Sequence, residues 1–464
     1  MTREELARLS HSELVELVLQ LQAANAQLQA RGVELEVRLA RPRKTPANSS
    51  VPPAKAYKPN RQPAAEGPRK RGPKVGHPGT TRPRTVPDLE IAAQVEHCAR
   101  CGQDLTAVEQ QAVERRQVVE IPPVRPVVIE AAVYQVVCPG CDQVHTAEFP
   151  AAFTAPQAFG PRTQALVTYF HEVHHWPYGR LETALHEVFH LDIAAGSLVN
   201  LVRRTGTALE PQAEAIRLEV IHSPVIGSDE TGARVEGRNH WQWVFRTPQA
   251  SYYVIVPSRG AKVLTEVLGE AQPEVWVSDL WSAQQKAPAQ HFQLCHGHQL
   301  RDLEYAKDCG DTAFAPAMQD LLRQSQRLAK QRLELPPAEL ACQKQAIYTT
   351  CDQLLAEDTA HPEGLKLQRR YRRHRDKLFV FLERPDVPFD NNGSERDLRN
   401  SVVHRKVTGG FRSDWAPKTY ATVATVVETA KKREQPVLDT LLAGIGRFLP
   451  LDPPRPTARS PGGT

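Results

Sequence analysis

Val225-Ile226-Gly227-Ser228-Asp229-Glu230-Thr231-Gly232 reads as a short apolar strand that runs into a carboxylate and then a turn. Val275-Trp276-Val277-Ser278-Asp279 repeats the pattern, with a second apolar strand ending in Asp. Between them His240 to Arg246 and Tyr252 to Val256 alternate as strands do, and Lys262 to Leu268 can form a helix. The order is a meander, a helix and a further strand. If the two strands are neighbours, Asp229 and Asp279 at their ends point to one spot.

That layout is the one expected of a ribonuclease-H-like α/β sheet. Residues 296–386 interrupt it with a long, charged, helical stretch, in which Lys366 to Lys377 carries seven basic residues in twelve. Pro388-Phe389-Asp390-Asn391-Asn392-Gly393-Ser394-Glu395-Arg396 then turns into a helix, so Glu395 in its first turn can close the site from the side. Three carboxylates brought together suit Mg2+ (or Mn2+), which takes oxygen ligands and few protein ones. Two such ions activate a nucleophile and stabilise the leaving oxygen in phosphodiester chemistry. Each acid also has a bland explanation, because Asp at a strand end is often a turn former and Asn392-x-x-Glu395 is a capping-box pattern.

Upstream, residues 4–40 read as one helix. Leu14, Leu21, Leu28 and Leu35 recur every seven residues, with Val18, Asn25, Gly32 and Leu39 at the alternate seam position. This is the pattern of a coiled-coil zipper, expected to make a homodimer or higher oligomer, though an amphipathic helix packed on its own chain fits as well. Residues 41–88 hold ten prolines by residue 83. Residues 41–84 carry twelve Lys/Arg against the single acid Glu66, in a chain whose net charge is +5. Such a segment cannot bury enough surface to offset its ordering entropy. It is either a solvated linker or a polyanion-binding arm, with Arg69, Lys70, Arg71 and Lys74 as a minor-groove hook for DNA.

Cys98-Ala-Arg-Cys101 and Cys138-Pro-Gly-Cys141 form two knuckles whose four thiolates suit a tetrahedral Zn2+ site. The valine-rich alternation between them predicts a hairpin or small sheet. Residues 156–218 look helical, and a short turn at His190–Asp192 matches a DNA-binding helix-turn-helix or any small bundle. There Ser197 is a candidate cap, and Arg203 and Arg204 sit near the end of the second helix. The histidines of this stretch join no carboxylate pattern and read as ordinary helix residues.

Over the 464 residues no apolar run is long enough for a membrane span, and Met1 to Glu5 lacks a signal-peptide core. Eight cysteines in two CxxC pairs plus four singles indicate a metal site in a reducing compartment rather than a disulfide scaffold. A cytoplasmic, nucleoid-associated protein is expected.

The whole order resembles the insertion-sequence sixty-six transposases. The most specific pieces are Asp229-Glu230-Thr231-Gly232, Cys295-His296-Gly297-His298-Gln299-Leu300-Arg301 and Asp390-Asn391-Asn392-Gly393-Ser394-Glu395-Arg396. The resemblance implies a DDE triad at Asp229, Asp279 and Glu395 that cuts element ends and joins the freed 3′-OH to target DNA. It makes His298, Arg301, Asn392 and Arg396 candidates to support the acids or to contact phosphates, each with a structural reading beside it, and it allows helper proteins of the same element. The family's cysteine-led block often reads Cys-Trp-Ala-His, so only His298 carries over from it. The domains expected are a coiled coil (1–40), a basic linker (41–88), a zinc-binding domain (89–150) and a helical DNA-binding domain (151–218). A DDE catalytic domain (219–435, insertion 296–386) and a C-terminal helix and tail (436–464) follow. A catalytically silent zinc-containing DNA-binding protein and a ribonuclease-H-like nuclease are the alternatives.

Overall fold

The computed structural model describes residues 10–45, 48–49, 82–150, 153 and 158–446. The hook residues Arg69, Lys70, Arg71 and Lys74 lie outside them. The chain divides into two compact units: a smaller one of Lys58–Ile129 and Thr183–Asp192, and a larger one of the remainder.

The smaller unit contains the first knuckle. The Cys98 N–H donates to the Gln103 carbonyl and the Gly102 N–H to the Cys98 carbonyl, both at 2.9 Å, with Gly102 in the left-handed region at φ 76°. The expected hairpin or small sheet forms only at the end of the stretch between the knuckles: Gln135–Val137 pair with residues beyond the second knuckle, and residues 105–134 carry no strand. Pro122, Pro123 and Pro126 remove three ladder donors there, and Val113, Val118, Ile121 and Val128 lie exposed. The side chains of Gln110 and Gln117 bond the backbone of Val95 and Thr85 instead.

The larger unit contains the second knuckle, framed by β1 (Gln135–Val137) and β2 (Val144–Thr146), which pair antiparallel with Val136 opposite His145. Helix α1 (His11–Ala40) leaves Val18, Leu19, Leu21 and Leu28 exposed. Helices α2 (Pro161–Thr168), α3 (Tyr178–Phe189) and α4 (Ala195–Ile221) precede the main sheet. The N-cap position of α4 is Ala194, with no side-chain cap, so Ser197 is not the cap. It runs on to Ile221, because Leu209, Ile216 and Val220 continue its buried stripe, and this leaves Arg203 and Arg204 in the helix interior.

The main sheet has five strands: β3 (Val225–Val235), β4 (Arg238–Arg246), β5 (Ser251–Val256), β6 (Val275–Ser278) and β7 (His291–Leu294), in spatial order β5-β4-β3-β6-β7. The first three form an antiparallel meander, whereas β6 runs parallel to both β3 and β7. Side-chain alternation gives the sheet two apolar faces. Ile226, Trp243, Phe245 and Trp276 pack with α4, α5 (Lys262–Leu268), α13 (Ala416–Lys432) and α14 (Val437–Ile445). Val225, Val275, Val277 and Leu294 face the other way, onto an insertion of four long helices. These are α6 (His296–Asp308), α7 (Phe314–Gln331), α8 (Pro337–Ala356) and α9 (Pro362–Arg373). A short α10 (Val380–Glu383) leads out of it.

Both outer strands are covered by side chains. Thr429 and Thr425 of α13 accept hydrogen bonds from the Ser251 and Tyr253 amides of β5 at 3.1 and 3.0 Å. The Gln293 side chain of β7 bonds the Leu378 carbonyl and the Phe381 amide.

Candidate active site

Asp229 does not end its strand, as expected from the sequence, but occupies the middle of β3. The parallel pairing with β6 stops at Gly227 opposite Val277, and beyond it β3 continues as a hairpin with β4. Asp229 therefore sits just past the last parallel pair, and Asp279 immediately follows β6. Glu395 lies in the first turn of α11 (Asn392–Asp397), which α12 (Arg399–Thr408) follows. The N-cap position there is Asn391 with no side-chain cap, so Asn392-x-x-Glu395 is not a capping box.

These acids feel one another. Burial pushes the Asp229 carboxyl well above the usual range, and the negative charges of Glu230, Asp279 and Glu395 push it further. Glu230, next along the strand, is engaged elsewhere. Its side chain is 1% exposed and pairs with Arg259 at 2.8 Å, and Gln284 Nε2 donates to Oε2 at 2.7 Å. The Arg259 guanidinium lies between the rings of Trp241 and Trp281, 4.5 and 3.9 Å from their centroids. Trp281 is tied back to the second acid, its N–H donating to Asp279 Oδ1 at 2.9 Å.

Asn391 fixes the loop that delivers Glu395. Its Nδ2 donates to the Ser228 carbonyl at 2.8 Å, its N–H to Cys295 Sγ at 3.1 Å, and Ser394 Oγ donates to its Oδ1 at 2.6 Å. Burial pushes the Cys295 thiol up to about 12. Cys295, His298 and Glu395 bring their ligand atoms within 4.8 Å of one another, but a thiol kept protonated by burial serves better as acceptor for Asn391 than as a metal ligand.

Behind α11, Asp397 Oδ2 accepts from Arg246 Nε at 3.1 Å, Ser251 Oγ at 2.7 Å and Lys432 Nζ at 2.8 Å. Gly393 leaves the room this needs, for a Cβ there would run into the Arg246 guanidinium. Sequence reasoning missed Asn391, Asp397, Arg246 and Arg259 as parts of this frame. The Asn391-Asn392-Gly393 run is the only local signal for any of them.

The other residues singled out are dispersed. His298 Nε2 and Arg301 Nη2 lie 3.6 and 3.5 Å from Glu395 Oε1, so Arg301 faces an acid of the site. Arg396 is exposed, and Asn392 is bonded to Asp390. Arg203 and Arg204, exposed on α4, line a cleft of about 590 Å³ with Gln164 and Asn200. At the knuckles, backbone N–H groups lower both leading thiols, those of Arg100 and Cys101 for Cys98 and those of Gly140 and Cys141 for Cys138. Donors aimed at sulfur favour the thiolate that zinc requires.

Residues 157–419, more than half of the chain, match the Transposase IS66 family. The chain belongs to that family. Residues 96–142, which span all four knuckle cysteines, match the zinc-finger binding domain of transposase IS66. The metal those cysteines imply is Zn2+, and their thiolate-favouring turns fit it. An uncharacterized protein, y4jO, of Sinorhizobium fredii (strain NBRC 101917 / NGR234) is 34% identical over 116 residues, 25% of this chain and 35% of that relative. The chain thus spans about a third of the length of the curated relative it matches. No helix among the described residues is long and apolar enough to cross a membrane.

Proposed function

We propose that this IS66-family chain is a DDE transposase with a ribonuclease-H-like catalytic domain, which cuts DNA at the ends of its element and joins them to a target. The observation that carries the reading is the family match over residues 157–419, supported at Asp229, whose carboxyl is pushed above the usual range by burial and then by the charges of Glu230, Asp279 and Glu395. A site of that kind suits divalent cations, and Mg2+ (or Mn2+) held by these three carboxylates would supply charge neutralisation and Lewis-acid activation. Water attacks a phosphodiester and leaves a 3′-OH. That hydroxyl then attacks a target phosphodiester in line, making one P–O bond as another breaks, so no external energy source is needed. Asn391 ties the Glu395 loop to β3 and Asp397 ties α11 to β4 and β5, and Arg301 and His298 lie beside Glu395. The four knuckle cysteines bind one structural zinc, and the basic arm, with Arg203, Arg204 and Arg396, contacts DNA.

The test is strand transfer of a labelled element-end oligonucleotide with Mg2+ or Mn2+. Asp229→Ala, Asp279→Ala and Glu395→Ala are each expected to abolish cutting and joining while DNA binding survives. Glu230→Ala should keep substantial activity, since its carboxylate is occupied by Arg259 and Gln284. Full joining by Asp229→Ala sinks the assignment. Cutting without joining leaves a nuclease, and DNA binding without cutting leaves the silent zinc-containing binder.

A further inference from the structure

The seven basic residues between Lys366 and Lys377 are not equivalent. Four are consumed by the insertion itself. Arg370 pairs with Asp302, Arg372 with Asp358 and Arg375 with Asp352, and Lys377 donates to Gln285 Oε1 at 2.9 Å. Lys366 lies 3.8 Å from Glu363, an acid that Arg41 also approaches at 3.5 Å. Arg369 and Arg373 have no carboxylate or hydrogen-bond partner among the described residues, and both are exposed.

The two free arginines line one cleft of about 530 Å³, which Leu280, the residue directly after Asp279, also lines. The sequence dictates the arrangement. Leu367, Gln368 and Tyr371 form the buried face of α9, which leaves Lys366, Arg369 and Arg373 on another face at spacings of three and four. Four helical residues rise about 6 Å, comparable to the interval between neighbouring phosphates of an extended strand. His374, also in the cleft, is held below the usual histidine range by burial and then by the charges of Lys377 and Arg373. The cleft and the Asp279 loop are coupled, because Gln285 Nε2 donates to the Asp279 carbonyl at 3.0 Å while accepting from Lys377.

The geometry points to this cleft as the track for the DNA strand held at Asp279, with Arg369 and Arg373 each neutralising one backbone phosphate. This rests on the DNA-processing reading above and assigns the strand's path within it. Arg370, Arg372 and Arg375 then hold the insertion together and contribute little to affinity.

The test uses the full chain, a fluorescein-labelled DNA duplex and a salt series. Two lost phosphate contacts should flatten the slope of log affinity against log salt by about 1.8 in the Arg369→Gln/Arg373→Gln chain. Arg372→Gln should leave the slope unchanged and lower the melting temperature. Because Arg369 and Arg373 are exposed and unpaired, the double variant should melt as the unsubstituted chain does. The single charge reversal Arg373→Glu should also flatten the slope if the double variant proves unstable. An unchanged slope in both variants, with the unsubstituted chain binding normally, overturns the track and leaves the transposase reading intact. No salt-dependent binding by the unsubstituted chain overturns both.

Discussion

Glu172 is buried in the π-helical turn Tyr169–Val173, and its Oε2 has no hydrogen-bond partner among the described residues. Burial pushes its carboxyl from the ordinary 4.5 up to about 8. The folded chain therefore keeps a proton that the unfolded chain releases, so stability falls as pH rises from about 4.5 to about 8 and levels off beyond. Each pH unit in that window costs about 1.4 kcal/mol, which withholds on the order of 3 kcal/mol at neutral pH. Glu172→Gln removes the titration and keeps the shape. The unpaired amide has its own cost, but that cost does not change with pH and cancels in the comparison. Urea unfolding of both chains near pH 5 and pH 7.5 is the assay. The variant should gain by roughly 2–3 kcal/mol more at the higher pH. An equal difference at the two pH values would refute the burial argument.

The zinc proposal predicts one metal per chain in protein purified under reducing conditions, lost with structure around the knuckles on chelation. Cys98→Ser or Cys138→Ser should lower the metal content, and Cys342→Ser should not. Deleting residues 4–40 should halve the solution mass if the exposed seam of α1 is a dimer interface, and an unchanged mass removes that reading. Gly393→Ala should destabilise by about 1–3 kcal/mol through overpacking against Arg246 and slow DNA cutting, with affinity for DNA unchanged by the binding assay.

The strand pattern was legible because it is periodic. Lys262 to Leu268 is a helix and Val275 to Ser278 a strand, as their side chains suggest. Strand β7 gave no comparable signal, since four residues with one polar interior member, Gln293, do not alternate clearly. The valines from Val113 to Val128 alternate and yet form no strand, because prolines remove the donors that alternation alone cannot reveal, whereas Val136 and Val137 pair in β1. At the site, the three acids announce themselves by their flanks, but their frame does not. Arg246 reaches Asp397 and Asn391 reaches Ser228 across more than a hundred residues of chain, and nothing local marks such a pairing. The basic run at 366–377 shows the same limit. Its composition reveals the charge, and only the fold separates the arginines that hold helices together from the two left facing a cleft.

The insertion also sets a schedule. Asp229 and Asp279 leave the ribosome before α6 to α10, and Glu395 after them. At ordinary elongation rates the gap between the second and third acid lasts on the order of ten seconds. Asn391 can meet the Ser228 carbonyl only when that interval has passed. A nascent or truncated chain that ends inside the insertion carries the basic arm and two acids but no Glu395. Under the proposed function it would hold DNA without cutting it and so compete with complete copies.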